Sequence, residues 1–164
     1  MPFRSRAVRS LVELHEHEMR SFLEVWKRFV ASDLPMPEAH GDESYENRER
    51  LAGHVLMAAR GYLTRIGEWV GRPVSDVDGS KDPYEIVRRA SEFADDVLSA
   101  YRRHLAEISN DELEPQVHRT RWGELMSVEN LLEHALVHPM RHRLQLERIL
   151  EGNQAGAASS PSTS

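Results

Sequence analysis

Residues 131–150 read LLEHALVHPMRHRLQLERIL, and this stretch decides the fold class of the chain. Its apolar residues recur at intervals of three and four, which is the spacing of the buried face of a helix. His138 and His142 lie on that face one helical turn apart, so their imidazoles project from the same side. Ser127 is a suitable N-cap, and the helix is predicted to run to Leu150. The stretch therefore predicts a long helix that carries two histidines towards a protein core.

Three other stretches have helical periodicity, and no stretch has the sustained alternation of a β-strand. They span about 5–32, 44–71 and 82–108. A proline-rich segment ends the first, a glycine and a proline end the second, and an Asp-Pro pair starts the third. The residues predicted to face inward are Val8, Val12, His15, Met19, Phe22, Trp26 and Phe29, then Leu51, Val55, Ala58, Tyr62, Ile66 and Trp69, then Tyr84, Val87, Ser91, Ala94, Leu98, Tyr101, Leu105 and Ile108.

Four amphipathic helices cannot bury their apolar faces alone, so the expected architecture is an all-α four-helix bundle. The chain has 164 residues, a length that suits one domain with a core of its own. We assign residues 1–151 to this domain. The tail 152–164 is small, polar and low in complexity, and we expect it to be disordered.

The composition excludes several classes of protein. Cysteine is absent, which excludes disulfides, cysteine metal sites and a cysteine nucleophile. The 27 acidic residues outnumber the 21 basic ones and give a net charge of −6, which argues against a nucleic acid as the partner. No long apolar run is present, so we expect no signal peptide, no membrane span and a cytoplasmic protein. Nine histidines are the most unusual feature of the composition.

The position of His138 and His142 on an inward face requires a chemical explanation. A buried histidine pair loses its hydration, so a metal ion or a hydrogen-bond network is expected beside it. His54 lies on the second predicted helix, within reach of a neighbouring helix. Pro139 follows His138 inside the last helix, where it removes a backbone donor and can bend the helix beside the histidines. The spacing alone also allows packed or solvated histidines, and the proline also allows a simple packing kink.

Residues 138–145 read HPMRHRLQ and resemble the motif HxxxHRGQ in the last helix of the DinB/YfiT-like family. Leu144 stands where the family usually has glycine, so it can narrow the space beside the histidines. Residues 49–63, ERLAGHVLMAARGYL, are similar to the histidine-bearing second helix of the same family. The resemblance covers residues 5–151.

This resemblance implies a four-helix bundle in up-down-down-up order and a divalent metal ion (Zn, Ni, Fe or Mn) bound by His54, His138 and His142. His134 forms an equally spaced pair with His138, but the family motif and the inward face both favour His138 with His142. No catalytic residue is assigned beyond this metal site. Three residues are expected to contact or orient the ligands without binding the ion: His15, His134 and Gln145.

Two further features of the sequence bear on a substrate. Trp122, in the long connection 110–126, can roof a substrate pocket or pack against the end of the bundle. Arg141 and Arg143 flank His142 and can attract an anionic substrate, although arginines on an outer face need no special purpose.

Three neutral histidines leave a divalent ion with an open position, as in a catalytic site. The resemblance implies a metal-dependent thiol transferase or hydrolase that acts on a small molecule, with a low-molecular-weight thiol as a candidate partner. The bundle is expected to form a homodimer, with no membrane partner. One alternative is a non-catalytic metal-binding or stress-associated dimer. Another is a helical scaffold without metal, in which His54 would not converge with the other two histidines.

Overall fold

The computed structural model describes residues 2–38, 41–113 and 116–158, and this part of the chain is almost entirely α-helical. The predicted all-α class is confirmed. No helix within these residues is long and apolar enough to cross a membrane. The helices are α1 (Arg6–Ala31), α2 (Arg48–Trp69), α3 (Pro83–Arg88), α4 (Ala90–Leu105) and α5 (Val128–Ala158). Short elements in the connections are the 3₁₀ turns Glu43–Tyr45 and Asn110–Glu112 and the antiparallel strands β1 (His118–Arg119) and β2 (Leu125–Met126).

Side-chain caps begin four of these helices, and each satisfies a backbone N–H that the helix leaves free. Ser127 accepts a hydrogen bond from the backbone N–H of Asn130 at 3.2 Å, so the predicted cap of α5 is confirmed. Asp82 caps α3 through the N–H of Tyr84 at 2.9 Å. The other two side-chain caps are Ser5 before α1 and Asn47 before α2.

Side-chain contacts show the relative directions of neighbouring helices. Helices α1 and α4 are antiparallel, because Glu16 pairs with Arg102 and the later Arg20 pairs with the earlier Asp95. Helices α2 and α5 are also antiparallel, since the ring of His54 meets that of His142 and the ring of Tyr62 meets that of His134. The up-down-down-up order of the whole bundle stays a prediction.

The core is built mainly from the predicted inward faces. On α1 all the predicted inward residues are buried except Trp26, which is partly buried and donates from its indole Nε1 to the carbonyl of Arg48 at 3.1 Å. On α2 the buried face is rotated from the predicted one, so that Ala58, Tyr62 and Trp69 are only partly buried. The buried α2 residues are Leu51, Ala52, Gly53, Val55, Leu56, Ala59, Leu63, Ile66 and Gly67.

The predicted third helix is broken at Arg89, whose backbone angles (φ −127°, ψ 36°) lie outside the helical range. The break shifts the phase of the buried face. Tyr84 is 40% exposed and Ser91 is exposed, so their predicted inward positions are wrong. Ile86, Ala90 and Phe93 are buried instead. The Arg89 side chain is hydrogen-bonded to Asp78 in the preceding connection, a contact that periodicity cannot reveal.

Helix α5 ends later than predicted. It runs to Ala158, beyond the expected end at Leu150, and Gly152 lies within it. The predicted boundary at residue 151 therefore falls inside a helix, and residues 159–164 of the predicted tail lie outside the described residues. Pro139 is buried and lies inside α5, which continues on both sides of it.

A glycine brings α3 close to α2 beside one of the candidate ligands. A Cβ atom added to Gly53 would lie 2.4 Å from the Cβ and 2.8 Å from the Cα of Pro83. Only glycine fits there, because the added atom would clash with the ring and backbone of Pro83, the first residue of α3, and these cannot swing aside as a flexible side chain can. His54 is the next residue, so its backbone lies beside this close approach of α2 and α3.

Candidate metal centre

Three histidines from two helices converge in the bundle. His54 comes from α2, and His138 and His142 come from successive turns of α5. The Nε2 atoms of His54 and His138 are 3.0 Å apart, and one ring nitrogen from each of the three residues lies within 4.8 Å of the others. The scaffold alternative required that His54 stay apart, and this geometry contradicts it.

Burial keeps these histidines neutral. His142 is fully buried and His138 is 8% exposed, whereas His54 is partly exposed. Burial lowers the pKa of His138 to about 2 and that of His142 to about 4, and the nearby positive charge of Arg141 adds to both effects. Burial also lowers the pKa of His54. Each ring therefore offers an unprotonated nitrogen at neutral pH, the form that a metal ion requires.

The tautomer of His142 follows from two hydrogen bonds of Tyr45. The Tyr45 hydroxyl donates its single proton to Oε1 of Gln145 at 2.9 Å, and its oxygen lies 3.2 Å from Nδ1 of His142. Because that proton is already used, Nδ1 of His142 must be the donor in the second bond. The lone pair of His142 is thus on Nε2, the nitrogen on the other side of the ring. Gln145 and His142 are linked through the Tyr45 hydroxyl, and the expected orienting role of Gln145 stays a prediction.

An unpartnered nitrogen indicates that these residues suit a metal ion. Nε2 of His142 is buried and has no hydrogen-bond partner among the described residues. Nδ1 of His138 is unpartnered as well, but it lies on the opposite side of its ring from the Nε2 that approaches His54, so only Nε2 of His138 can share an ion with His54. Such orphaned polar atoms are costly in a folded protein unless something binds them. Two nitrogens on one tetrahedral zinc ion at about 2.0–2.1 Å lie roughly 3.3–3.4 Å apart, close to the separation observed between His54 and His138. The donor set and the spacing fit a divalent ion.

A row of rings leads from the protein surface to the histidines. The indole of Trp122 stacks on His134 with centroids 5.5 Å apart and an interplanar angle of 27°. Tyr62 meets His134 edge-on at 5.3 Å and His138 at 5.7 Å. His134 thus lies between Trp122 and the three-histidine group and outside that group. Trp122 is 49% exposed. Its role, as a roof over a substrate pocket or as packing against the end of the bundle, stays a prediction.

Charged side chains near the site act on its histidines in opposite senses. Arg141 is exposed and has no ion-pair partner in the part of the chain that the structure describes. Its charge contributes to the lowered pKa of all four nearby histidines, His54, His134, His138 and His142, after the larger effect of burial. The carboxylate of Asp42 acts in the opposite sense and raises the pKa of His54 and His142.

Nearly the whole chain matches one protein family. The family model described as the DinB family matches residues 7–163. The chain belongs to the DinB family. No curated protein and no solved structure gave a significant match. The resemblance seen in helices α2 and α5 is thereby confirmed, and it extends over nearly all of the chain.

Two sequence-predicted residues of this DinB-family chain, His15 and Arg143, make their observed contacts with groups other than the three ligands. His15 is 2% exposed and stacks on Tyr101 at 4.4 Å, and neither of its ring nitrogens has a partner in the described structure. No ring contact or hydrogen bond joins it to the three histidines, and its role towards them stays a prediction. Arg143 is bound by Glu18 at 2.9 Å and Glu147 at 2.8 Å, so its charge is already paired.

Leu144 does not narrow the site of this DinB-family chain. It replaces the glycine of the family motif, yet its side chain is 38% exposed on the outer side of α5. The departure from the motif therefore leaves the three-histidine group unobstructed.

Sequence reasoning missed Tyr45 and Asp42. Both lie in the connection before α2, where helical periodicity gives no signal. Asp42 caps the 3₁₀ turn Glu43–Tyr45 by accepting from the N–H of Ser44 at 2.9 Å. This turn holds Tyr45 against His142, so a local cap controls a contact with a residue 97 positions away.

Proposed function

We propose that this DinB-family protein binds one divalent metal ion through His54, His138 and His142 and acts as a metal-dependent enzyme on a small molecule. The observation that carries the proposal is the convergence of three neutral imidazoles, two of them buried, in which Nε2 of His142 has no partner among the described residues. The reaction class is a thiol transfer or a hydrolysis. Zinc, nickel, iron and manganese are the candidate ions.

When bound, such an ion supplies a Lewis-acid position that can accept water or a thiolate. The protein's own groups prepare the site for it. Burial of His138 and His142 keeps their rings unprotonated, and the Tyr45 hydroxyl accepts the Nδ1 proton of His142 so that Nε2 is free. His54 completes the group from a second helix and leaves one side exposed to solvent. Three ligands and an exposed side favour catalysis over a closed structural site.

A non-catalytic metal-binding dimer is the second candidate, and exposed apolar side chains support it. Leu14 on α1 and Val137 and Leu144 on α5 are each more than a third exposed, on two helices that pack together. Light scattering tests the dimer. A cobalt-loaded sample titrated with a small thiol tests catalysis, because a change in the visible spectrum requires an open coordination position. An unchanged spectrum would favour the non-catalytic alternative.

Metal content is the first test of the proposed function. Elemental mass spectrometry of untagged wild type should find about one equivalent of a divalent ion. His138→Ala should lose it, because the ligand nearest to His54 is removed. His134→Ala is the matched control, since His134 lies one turn earlier on α5 and outside the group, and this variant should retain the ion.

Absence of metal from wild type, even after reconstitution with the four candidate ions, would refute the metal site and the enzyme proposal together. Equal loss from both variants would show that α5 had been disrupted in general, and unfolding curves measured on the same samples would identify that case.

A further inference from the structure

We propose that Tyr62 is a substrate-binding residue of this site and donates a hydrogen bond to the molecule that binds at the ion. The inference rests on the proposed function and adds a class of substrate: a small molecule that carries a hydrogen-bond acceptor beyond the atom that coordinates the ion. Three features carry it, namely the fixed ring of Tyr62, its free hydroxyl and the small residue that separates it from His54.

The ring of Tyr62 is held beside one of the three ligands. It meets His138 at a centroid distance of 5.7 Å and His134 at 5.3 Å, both nearly edge-on. Trp122 meets the same ring at 6.5 Å with an interplanar angle of 86°. Edge-to-face contacts are favourable and directional, so three of them restrict the orientation of the ring. Tyr62 therefore forms a fixed wall next to His138.

The hydroxyl of Tyr62 has no hydrogen-bond partner among the described residues, although the side chain is partly buried. Two other tyrosines of the bundle differ in this respect. The hydroxyl of Tyr45 donates to Gln145, and that of Tyr101 donates to a backbone carbonyl at 2.8 Å. Burial raises the pKa of Tyr62 to about 12, so its hydroxyl keeps its proton at neutral pH. A partly buried donor without an acceptor in its own chain suits an acceptor on a bound molecule.

Tyr62 lies to one side of the three-histidine group. Its ring contacts His138 and the preceding His134, and within the described structure it contacts neither of the other two ligands. A molecule bound at the ion must therefore extend towards Tyr62 to reach the hydroxyl. For this reason the acceptor is expected on a part of the molecule beyond the coordinating atom.

Ala58 leaves room for such a molecule on α2. His54, Ala58 and Tyr62 are spaced by four residues and follow one another along one side of the helix. All three are partly exposed, so the bundle covers this side only in part. Long side chains on a helix lean towards its N-terminus, which directs Tyr62 back over Ala58. Only a methyl group thus stands between the ligand and the tyrosine, and the bound molecule is expected to lie across it.

The test uses the full chain loaded with cobalt and two small thiols, mercaptoethanol and ethanethiol. Both coordinate through sulfur, but only mercaptoethanol carries an acceptor beyond it. In titrations followed by the visible spectrum, Tyr62→Phe should bind mercaptoethanol roughly two- to tenfold more weakly than wild type, the effect of one neutral hydrogen bond, and ethanethiol equally well. Tyr84→Phe is the matched control and should bind both thiols as wild type does, because Tyr84 is 40% exposed and its hydroxyl is bonded to Asn47.

A second variant tests the path across Ala58. Ala58→Leu should weaken mercaptoethanol binding by roughly tenfold, because the larger side chain occupies the room between His54 and Tyr62. Gly61→Leu is its control, since it adds the same side chain in open space at an exposed position of the same helix. This control should bind mercaptoethanol as wild type does.

An unchanged affinity of Tyr62→Phe for mercaptoethanol would overturn the inference. Equal weakening of both thiols would also overturn it, because the bond would then reach the coordinating sulfur, and so would an Ala58→Leu protein that behaves like Gly61→Leu. Metal content is measured on every sample. A wild type that binds no divalent ion would refute the proposed function, whereas a loaded protein without these differences refutes only the role of Tyr62.

Discussion

Replacing Tyr45 with phenylalanine removes one oxygen atom and should weaken metal binding without changing a ligand. That oxygen accepts the proton of His142 Nδ1 at 3.2 Å and donates its own proton to Gln145 at 2.9 Å. In the Tyr45→Phe protein, Nδ1 of His142 has no acceptor, so the ring gains nothing from keeping its proton there. The tautomer with the proton on Nε2, which leaves that nitrogen without a lone pair for the metal ion, becomes accessible.

The size of the effect can be worked from these two bonds. Each neutral hydrogen bond contributes about 0.5–1.5 kcal/mol to stability, so the metal-free variant should lose about 1–3 kcal/mol of unfolding free energy. Loss of a partner that orients a ligand histidine typically lowers metal affinity by about 10- to 100-fold. We therefore expect zinc affinity to fall by about 1.4–2.8 kcal/mol.

Competition titration with a chelator measures the affinity, and ¹⁵N NMR of the imidazole nitrogens in the metal-free protein measures the tautomer. Tyr84→Phe is the control, because Tyr84 is 40% exposed and its hydroxyl accepts a hydrogen bond from Asn47 at 3.0 Å, away from His142. If Tyr45→Phe binds zinc as Tyr84→Phe does, and the ¹⁵N shifts of His142 are unchanged, Tyr45 does not set the tautomer and the reasoning fails.

Two further predictions concern stability. Burial lowers the pKa of His15 from 6.5 to about 4. As pH falls from about 6.5 to 4, the unfolded chain therefore binds the proton before the folded chain does, and the free energy of unfolding decreases. At pH 5 this loss should be about 2 kcal/mol relative to pH 7. Urea unfolding of metal-free wild type and His15→Leu at both pH values measures this, and an equal pH dependence in the two proteins would contradict it. Gly53→Ala should destabilise the protein by about 1–3 kcal/mol because its Cβ meets the backbone of Pro83, whereas Gly61→Ala, in open space on the same helix, should stabilise it by about 0.5–1 kcal/mol. Thermal unfolding of both variants and of wild type measures these changes. A Gly53→Ala protein more stable than wild type would contradict the prediction and show that α3 can move away from α2.

The helices were predictable because their apolar spacing and caps are local signals. Ser127 and Asp82 cap the helices that the sequence assigns to them. The break at Arg89 was not predictable, because residues around it contain neither glycine nor proline and the stabilising contact is made with Asp78 in a separate connection. Tyr84 and Ser91 were misplaced for that reason alone.

The residues of the candidate site also differ in whether local sequence signals could predict their positions. His138 and His142 share one helix, so their spacing placed them on a common face. Convergence with His54 was expected from family resemblance, since periodicity cannot tell which helices are neighbours. Tyr45 could not have been found, because it belongs to a 3₁₀ turn whose place against α5 exists only in the folded bundle.

The three histidines also make the site a sensor of complete folding. His138 and His142 stand on one helix, but His54 is 84 residues from His138 in the chain. A partly folded chain in which α5 has formed and α2 has not docked presents only two imidazoles, too few for a tight site. Tight loading is therefore reserved for molecules in which α2 and α5 have met, and a bound ion would then act as a clasp between two distant parts of the sequence.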